Sequence, residues 1–81
     1  MRLRLSAHFL RAYQDAPVDI QKAFEKKAGL LTADLRHPSL HAKKYSEATG
    51  MWQARVNRDW RFYFTIEGDT YLLHDITRHP K

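Results

Sequence analysis

The sequence predicts an α+β fold with an N-terminal strand, a helical hairpin, and then a three-stranded antiparallel meander that completes one sheet. Between Trp52 and Ile66, apolar and polar side chains alternate in two halves joined by a short polar break, which is typical of a β-hairpin with one buried face. Between Ile20 and Leu35, apolar side chains recur every three or four residues, as on an amphipathic helix. A chain of 81 residues has room for one core, so residues 1–81 are predicted to form a single domain.

The first half of the chain predicts a strand and two helices. Residues 2–5 alternate charged and apolar side chains, and Ser6 is the predicted N-cap of the first helix. The second helix is predicted to begin at Pro17, since proline suits a first helical position. It should end before Pro38, because the residue that precedes a proline disfavours helical geometry.

The second half of the chain predicts a loop and then three strands. Residues 40–50 are polar and basic without a sustained period, which predicts a loop. The hairpin follows, then a tight turn at residues 67–69 and a last strand over residues 70–77.

The composition favours a polyanionic partner. The formal net charge is +5 and the pI is about 9.8, which suits RNA, DNA or an acidic protein. The absence of cysteine excludes disulfides and fits a reducing compartment, so we expect a cytoplasmic protein. No apolar run reaches the length of a membrane span, and the first residues lack the apolar centre of a signal peptide.

Two arginines stand out on the polar side of the predicted hairpin. The apolar alternation builds one wall, and Arg55 and Arg61 project from the opposite face at the same level, with Tyr63 close by. One buried face is sufficient for a sheet, so this pair adds nothing evident to packing. We interpret it as an anion site.

Other kinds of site have weak support. His37 and His41 have the spacing of two zinc ligands on a helix, but Pro38 disfavours a helix there and no cysteine assists, so no metal site and no cofactor is predicted. The sequence has neither a nucleophile elbow nor a glycine-rich phosphate loop.

The chain carries a wider set of basic and histidine side chains that suits phosphate chemistry. Arginines can stabilise the charge that builds on a phosphate under attack, and a histidine can transfer the proton when RNA is cleaved by its own 2′-hydroxyl. Simple binding of an acidic partner or of phosphates is an equally good interpretation. The set, with its interleaved aromatics, is Lys43, Lys44, Arg55, Arg61, Arg78, His37, His79, Tyr45 and Tyr63.

The order of these motifs resembles the RelE/ParE superfamily of type II toxins over nearly the whole chain. The segment from Arg36 to Leu40 is followed by Trp52-x-x-Arg55, then by Arg61, and then by Arg78-His79. The arginine motif is similar to YoeB-like members, and the Asp59-Trp60 pair is similar to YafQ-like members.

The resemblance implies roles for individual residues. Arg55 and Arg61 match the two phosphate-binding positions, and His79 and His37 match positions that transfer protons. Where YoeB-like and YafQ-like members carry an aromatic residue after the C-terminal histidine, this sequence has Pro80 and Lys81. The residues expected to contact RNA are Lys43, Lys44, Arg58, Asp59, Trp60 and Arg78.

The resemblance also implies a function and partners. Members of this kind cut mRNA on the ribosome without a metal and are neutralised by an antitoxin, so we expect an acidic antitoxin partner. Two alternatives stay open: a ParE-like, non-nucleolytic toxin that inhibits DNA gyrase, and an inactive relative that only binds an antitoxin. For the nuclease, Arg61→Ala is expected to abolish growth inhibition and to leave the fold intact.

Overall fold

The computed structural model describes residues 1–79. Its elements are β1 (Arg2–Leu5), α1 (Ala7–Asp15), α2 (Val18–Ala33), a short 3-10 helix (Pro38–Leu40), β2 (Lys43–Ser46), β3 (Met51–Arg55), β4 (Trp60–Glu67) and β5 (Thr70–Arg78).

The five strands form one sheet in the order β1-β5-β4-β3-β2. Strand β1 pairs with β5 in parallel, and the other neighbouring strands pair in antiparallel fashion. The predicted α+β architecture is therefore confirmed.

The loop prediction for residues 40–50 is wrong over Lys43–Ser46, which form the edge strand β2. Lys43 lies opposite Gln53 and Lys44 opposite Trp52, so the meander has one more strand than predicted. The strand is short and mostly exposed, and lysine is common at sheet edges because it discourages pairing with another chain. A strand with so little buried surface has no apolar alternation to detect.

The two helices begin where local chemistry predicts. The hydroxyl of Ser6 accepts a hydrogen bond from the Phe9 N–H at 3.0 Å, which confirms Ser6 as the N-cap of α1. Helix α2 begins at Val18, one residue after its predicted start, and Pro17 is its N-cap residue. It ends at Ala33, and Leu35 packs against the core from the turn that follows.

An aromatic core joins the helices to one face of the sheet. The ring centroids of Phe9 and Phe24 are 5.2 Å apart, and those of Phe24 and Phe62 are also 5.2 Å apart, with the second pair edge to face. We call this side of the sheet the covered face; its buried residues on the strands are Ala54, Phe62, Phe64, Tyr71, Leu73 and Ile76, and Val56 is buried directly after β3.

The opposite side of the sheet, the open face, carries Gln53, Arg55, Arg61 and Tyr63, because these residues alternate with the buried ones along β3 and β4. A bulge between β4 and β5 leaves His74 unpaired, since Tyr63 lies opposite Asp75 whereas Phe64 lies opposite Leu73.

No helix within residues 1–79 is long and apolar enough to cross a membrane.

Candidate anion-binding site

One end of the open face contains a cleft of about 370 Å³ that we call the anion cleft. Its lining combines basic side chains with two histidines, and no carboxylate in the described part of the chain lines it. These are the chemical groups that bind a phosphate and exchange protons with it. The lining residues are His41, Ala42, Lys43, Gln53, Arg55, Arg61 and His79.

The strand register brings the basic residues together. Arg55 at the end of β3 lies directly opposite Arg61 on β4, so the predicted approach of the two arginines is observed. Lys43 on β2 lies opposite Gln53, which precedes Arg55 by two positions and therefore shares its face. The cleft consequently spans three neighbouring strands.

Arg61 is the most enclosed charge of the cleft. It is 7% exposed, and its Nη1 donates to the main-chain carbonyl oxygens of Asn57, Arg58 and Trp60 at 2.9, 3.2 and 3.1 Å. The first two carbonyls belong to the turn between β3 and β4 and the third to the first residue of β4, so one guanidinium nitrogen holds the turn against the start of the strand. Since Arg61 also lines the cleft, the same side chain supports the fold and supplies positive charge to the site.

Among residues 1–79, no carboxylate lines the cleft to neutralise its positive charge. Within residues 1–79 the ion pairs are Arg2 with Asp69 at 3.9 Å and His8 with Asp75 at 3.2 Å, and none of these four residues lines the cleft. Nearby like charges without a counter-charge repel one another, and this repulsion is relieved when an anion binds between them.

Two histidines far apart in the sequence, His41 and His79, border the cleft. The His79 N–H donates to the Asp59 carbonyl at 2.6 Å, which ties the segment after β5 to the β3–β4 turn. His41 has a left-handed backbone (φ 47°, ψ 40°) at the end of the 3-10 helix, an uncommon conformation in which histidine is enriched. This turn directs the chain into β2 and places His41 at the cleft.

His41 was considered in the sequence only as half of a weak zinc motif. Its place at the cleft depends on β2, which brings residues 41–43 beside β3, and no periodicity in the sequence indicates that strand. Gln53 was likewise not proposed as a site residue, although it lines the cleft and is 8% exposed. Its position two residues before Arg55 is the signal that would have identified it.

His37 has a different local role. Its Nδ1 accepts a hydrogen bond from the Ser39 N–H at 3.2 Å and lies 2.9 Å from the Ser39 hydroxyl, so the ring caps the short 3-10 helix. His37 does not line the anion cleft. Its assignment to proton transfer stays a prediction.

Two of the basic residues expected to bind RNA pack on tryptophan rings. The Lys44 Nζ lies 5.2 Å from the centre of the Trp52 ring, and the Arg78 guanidinium carbon lies 5.9 Å from that of Trp60. Neither Lys44 nor Arg78 lines the anion cleft, whereas Lys43 does. Lys44 and Lys43 share a neighbouring cleft of about 420 Å³.

The remaining predicted RNA contacts lie near the β3–β4 turn. Arg58 and Asp59 are exposed in the turn itself, beside the segment that carries His79. Trp60 is partly buried and packs against the core. Within the described part of the chain, no group of three or more histidine, cysteine, aspartate or glutamate side chains could hold a metal ion.

Comparison with known proteins identifies which solved structures share this fold. No protein-family model and no curated protein matches the sequence. Solved structures do match the fold: a YoeB/ParE toxin from Agrobacterium tumefaciens is 12% identical, with a TM-score of 0.79 over 99% of this chain and 100% of that one. YafQ from E. coli strain BL21(DE3) is 16% identical, with a TM-score of 0.79 over 98% of this chain and 94% of that one.

A third similar structure contains a bound partner. The YoeB–YefM toxin–antitoxin complex from Staphylococcus aureus, a heterotetramer, is 13% identical, with a TM-score of 0.78 over 99% of this chain and 98% of the matched chain. The chain therefore has the fold of the RelE/ParE superfamily of toxins, as its motifs predicted. At these identities the likeness establishes the fold alone, and function has to be argued from the site.

Proposed function

We propose that this protein is the toxin of a type II toxin–antitoxin system and that the anion cleft cleaves mRNA on the ribosome. The observation that carries this proposal is the cleft itself, where Arg55, Arg61 and Lys43 converge, no carboxylate from residues 1–79 joins them, and two histidines border the same space. The fold shared with toxins such as YafQ supports the same conclusion.

The reaction that suits these groups is attack by the 2′-hydroxyl on the adjacent phosphate. The 2′-oxygen forms a bond to phosphorus while the bond from phosphorus to the 5′-oxygen breaks. A base removes the 2′ proton and an acid protonates the departing 5′-oxygen, which leaves a cyclic 2′,3′-phosphate and a 5′-hydroxyl. A base, an acid and stabilisation of the phosphoryl charge meet all requirements of this step.

Each requirement has a candidate residue. Arg55 and Arg61 lie directly opposite each other and would hold the phosphate oxygens as charge builds on them. His79 and His41 border the cleft and would move the two protons. His37 is the alternative to His41, and separate alanine variants of the two histidines decide between them.

Partners follow from the same proposal. The ribosome would orient the message, so the protein would act in the cytoplasm. With a net charge of +5, the chain suits an acidic antitoxin, which would neutralise the toxin by covering it. The YoeB–YefM complex is a precedent for such a partner on this fold.

Primer extension on a defined mRNA with programmed ribosomes tests the proposal. The purified protein should cut the message only when ribosomes are present. Arg55→Ala should lower the single-turnover rate by roughly a hundredfold or more, the range for removing a group that stabilises transition-state charge. His79→Ala should lower it by a similar factor, because a general acid or base contributes about 10²–10⁴-fold.

The matched control is Arg11→Ala, which removes one positive charge from an exposed position on α1. It should cut at the wild-type rate. An intact message with the wild-type protein would contradict the nuclease and direct the search to DNA gyrase, and intact gyrase activity as well would favour an inactive antitoxin-binding relative.

A further inference from the structure

A second cleft of about 340 Å³ lies on the open face beside the anion cleft, and we call it the tyrosine cleft. It differs from its neighbour in carrying two aromatic rings and an apolar thioether in place of arginines and lysine. Its lining residues are Tyr45, Met51, Tyr63, His74, Asp75 and Thr77.

The two tyrosines form a preorganised pair. The ring centroids of Tyr45 and Tyr63 are 5.1 Å apart with an interplanar angle of 68°, so the rings meet edge to face. Tyr45 is 61% exposed on the edge strand β2, although burial of an aromatic side chain would be favourable. An edge-on neighbour fixes the orientation of the Tyr45 ring and leaves much of its surface free to contact a ligand.

A hydrogen bond connects the wall of the tyrosine cleft to that of the anion cleft. The Gln53 Nε2 donates to the Tyr63 hydroxyl at 3.0 Å, and Gln53 lines the anion cleft. Tyr63 follows Arg61 by two residues on β4, which separates their Cα atoms by about 7 Å. A span of this size is comparable to the distance from a phosphate to the base of an adjoining nucleotide.

We propose that the Tyr45–Tyr63 pair is a nucleobase-stacking site for single-stranded RNA, next to the scissile phosphate. The inference rests on the proposed function and deepens it, because it names the group that the protein contacts beside the phosphate. Aromatic rings beside a basic groove are the combination by which proteins hold unpaired bases, with phosphates bound by the charges and bases by the rings.

The combination of rings and positive charge favours RNA as the occupant, because a nucleotide presents a flat ring and a phosphate together and so suits both clefts at once. An acidic peptide would also meet the positive charge, so antitoxin binding is measured beside cleavage. Stacking requires only a π face, so the site would tolerate different bases.

The test combines protein variants with messages that lack a single base. Programmed ribosomes receive mRNA with an abasic site at each position flanking the cleavage point, and single-turnover cleavage is measured with the wild type, Tyr45→Ala and Tyr45→Phe. With the wild type, the abasic site at one flanking position should slow cleavage by about tenfold, an effect within the range for one stacked base.

Tyr45→Ala should slow cleavage of the intact message by a similar factor and should show no further penalty at that abasic site. Tyr45→Phe keeps the ring and should behave as the wild type. Leu10→Ala, which truncates another exposed apolar side chain on α1, is the control and should leave both rates unchanged.

The inference is overturned when Tyr45→Ala cuts the intact message at the wild-type rate, or when the abasic penalty persists in Tyr45→Ala. It is also overturned when Tyr45→Ala cuts normally but no longer binds the antitoxin, since the pair would then be a protein-binding surface. Failure of the proposed function is recognised separately, because the wild type would then cut no message at all.

Discussion

The two faces of the sheet have opposite chemistry. On the covered face Phe62, Phe64 and Leu73 are fully buried against the helices, and apolar contact stabilises the fold. On the open face Arg55 and Arg61 lie opposite each other, and neither forms an ion pair within residues 1–79. Substitutions on the covered face should therefore lower stability, and those on the open face should lower activity.

Arg61 is an exception to this division, because it contributes to both the stability of the fold and the charge of the site. It belongs to the open face, but its bonds to three main-chain carbonyls, two of them in the β3–β4 turn, make it part of the scaffold as well. Arg55 is exposed and lines the same cleft. Arg55 should therefore contribute only to binding and catalysis, whereas Arg61 should also contribute to stability.

The largest effect on stability is expected from Phe62→Ala on the covered face. Phe62 is fully buried and its ring lies 5.2 Å from that of Phe24 and 5.8 Å from that of Phe64, centroid to centroid. Its truncation should lower the free energy of unfolding by about 3–5 kcal/mol, measured by urea denaturation. Ile66→Ala on the same strand is the control, since Ile66 is 39% exposed and should lose far less. Equal losses for the two variants would contradict the description of the core.

A smaller effect separates the two arginines. Arg61→Ala removes the donor for the turn and should lower the free energy of unfolding by about 1–3 kcal/mol, in addition to reducing cleavage. Arg55→Ala should reduce cleavage with little change in stability. Thermal and urea unfolding of both variants check this difference, and an Arg61→Ala protein as stable as the wild type would show that the turn does not need its guanidinium.

The smallest effect concerns alkaline pH. Burial, and secondly the negative charge of Asp34, raise the pKa of Tyr71 above its ordinary value of 10.0. The unfolded chain therefore releases this proton at lower pH than the folded chain does, so stability from this group is complete below about pH 10 and falls as the pH rises through the folded pKa. Tyr71→Phe should show a shallower loss of stability above pH 10, measured by urea unfolding across that range. An unchanged slope would contradict the raised pKa.

The sequence predicted the covered face better than the open one. Alternation at Phe62 and Phe64 and helical spacing at Ile20 and Phe24 are direct consequences of burial, so they were visible without a structure. The approach of Arg55 and Arg61 followed from the same alternation once the hairpin was assumed.

The parts that were missed depend on contacts rather than on periodicity. Strand β2 buries too little surface to leave a pattern, and without it the position of His41 could not be inferred. The hydrogen bonds from Arg61 to the turn carbonyls depend on the backbone conformation of the turn, and this conformation cannot be inferred from the local sequence pattern. The same holds for residues whose roles were inferred from the family resemblance, such as His37. Only the structure shows whether these residues lie at the cleft.

The most direct test of the account is an NMR titration of the protein with a short RNA whose 2′-hydroxyl at the cleavage point is methylated. The account predicts that amide and guanidinium shifts concentrate at Lys43, Gln53, Arg55 and Arg61 on the open face, and that Arg55→Ala weakens them while Arg11→Ala does not. Shifts confined to the helices, or equal binding by both variants, would contradict the assignment of the anion cleft to RNA.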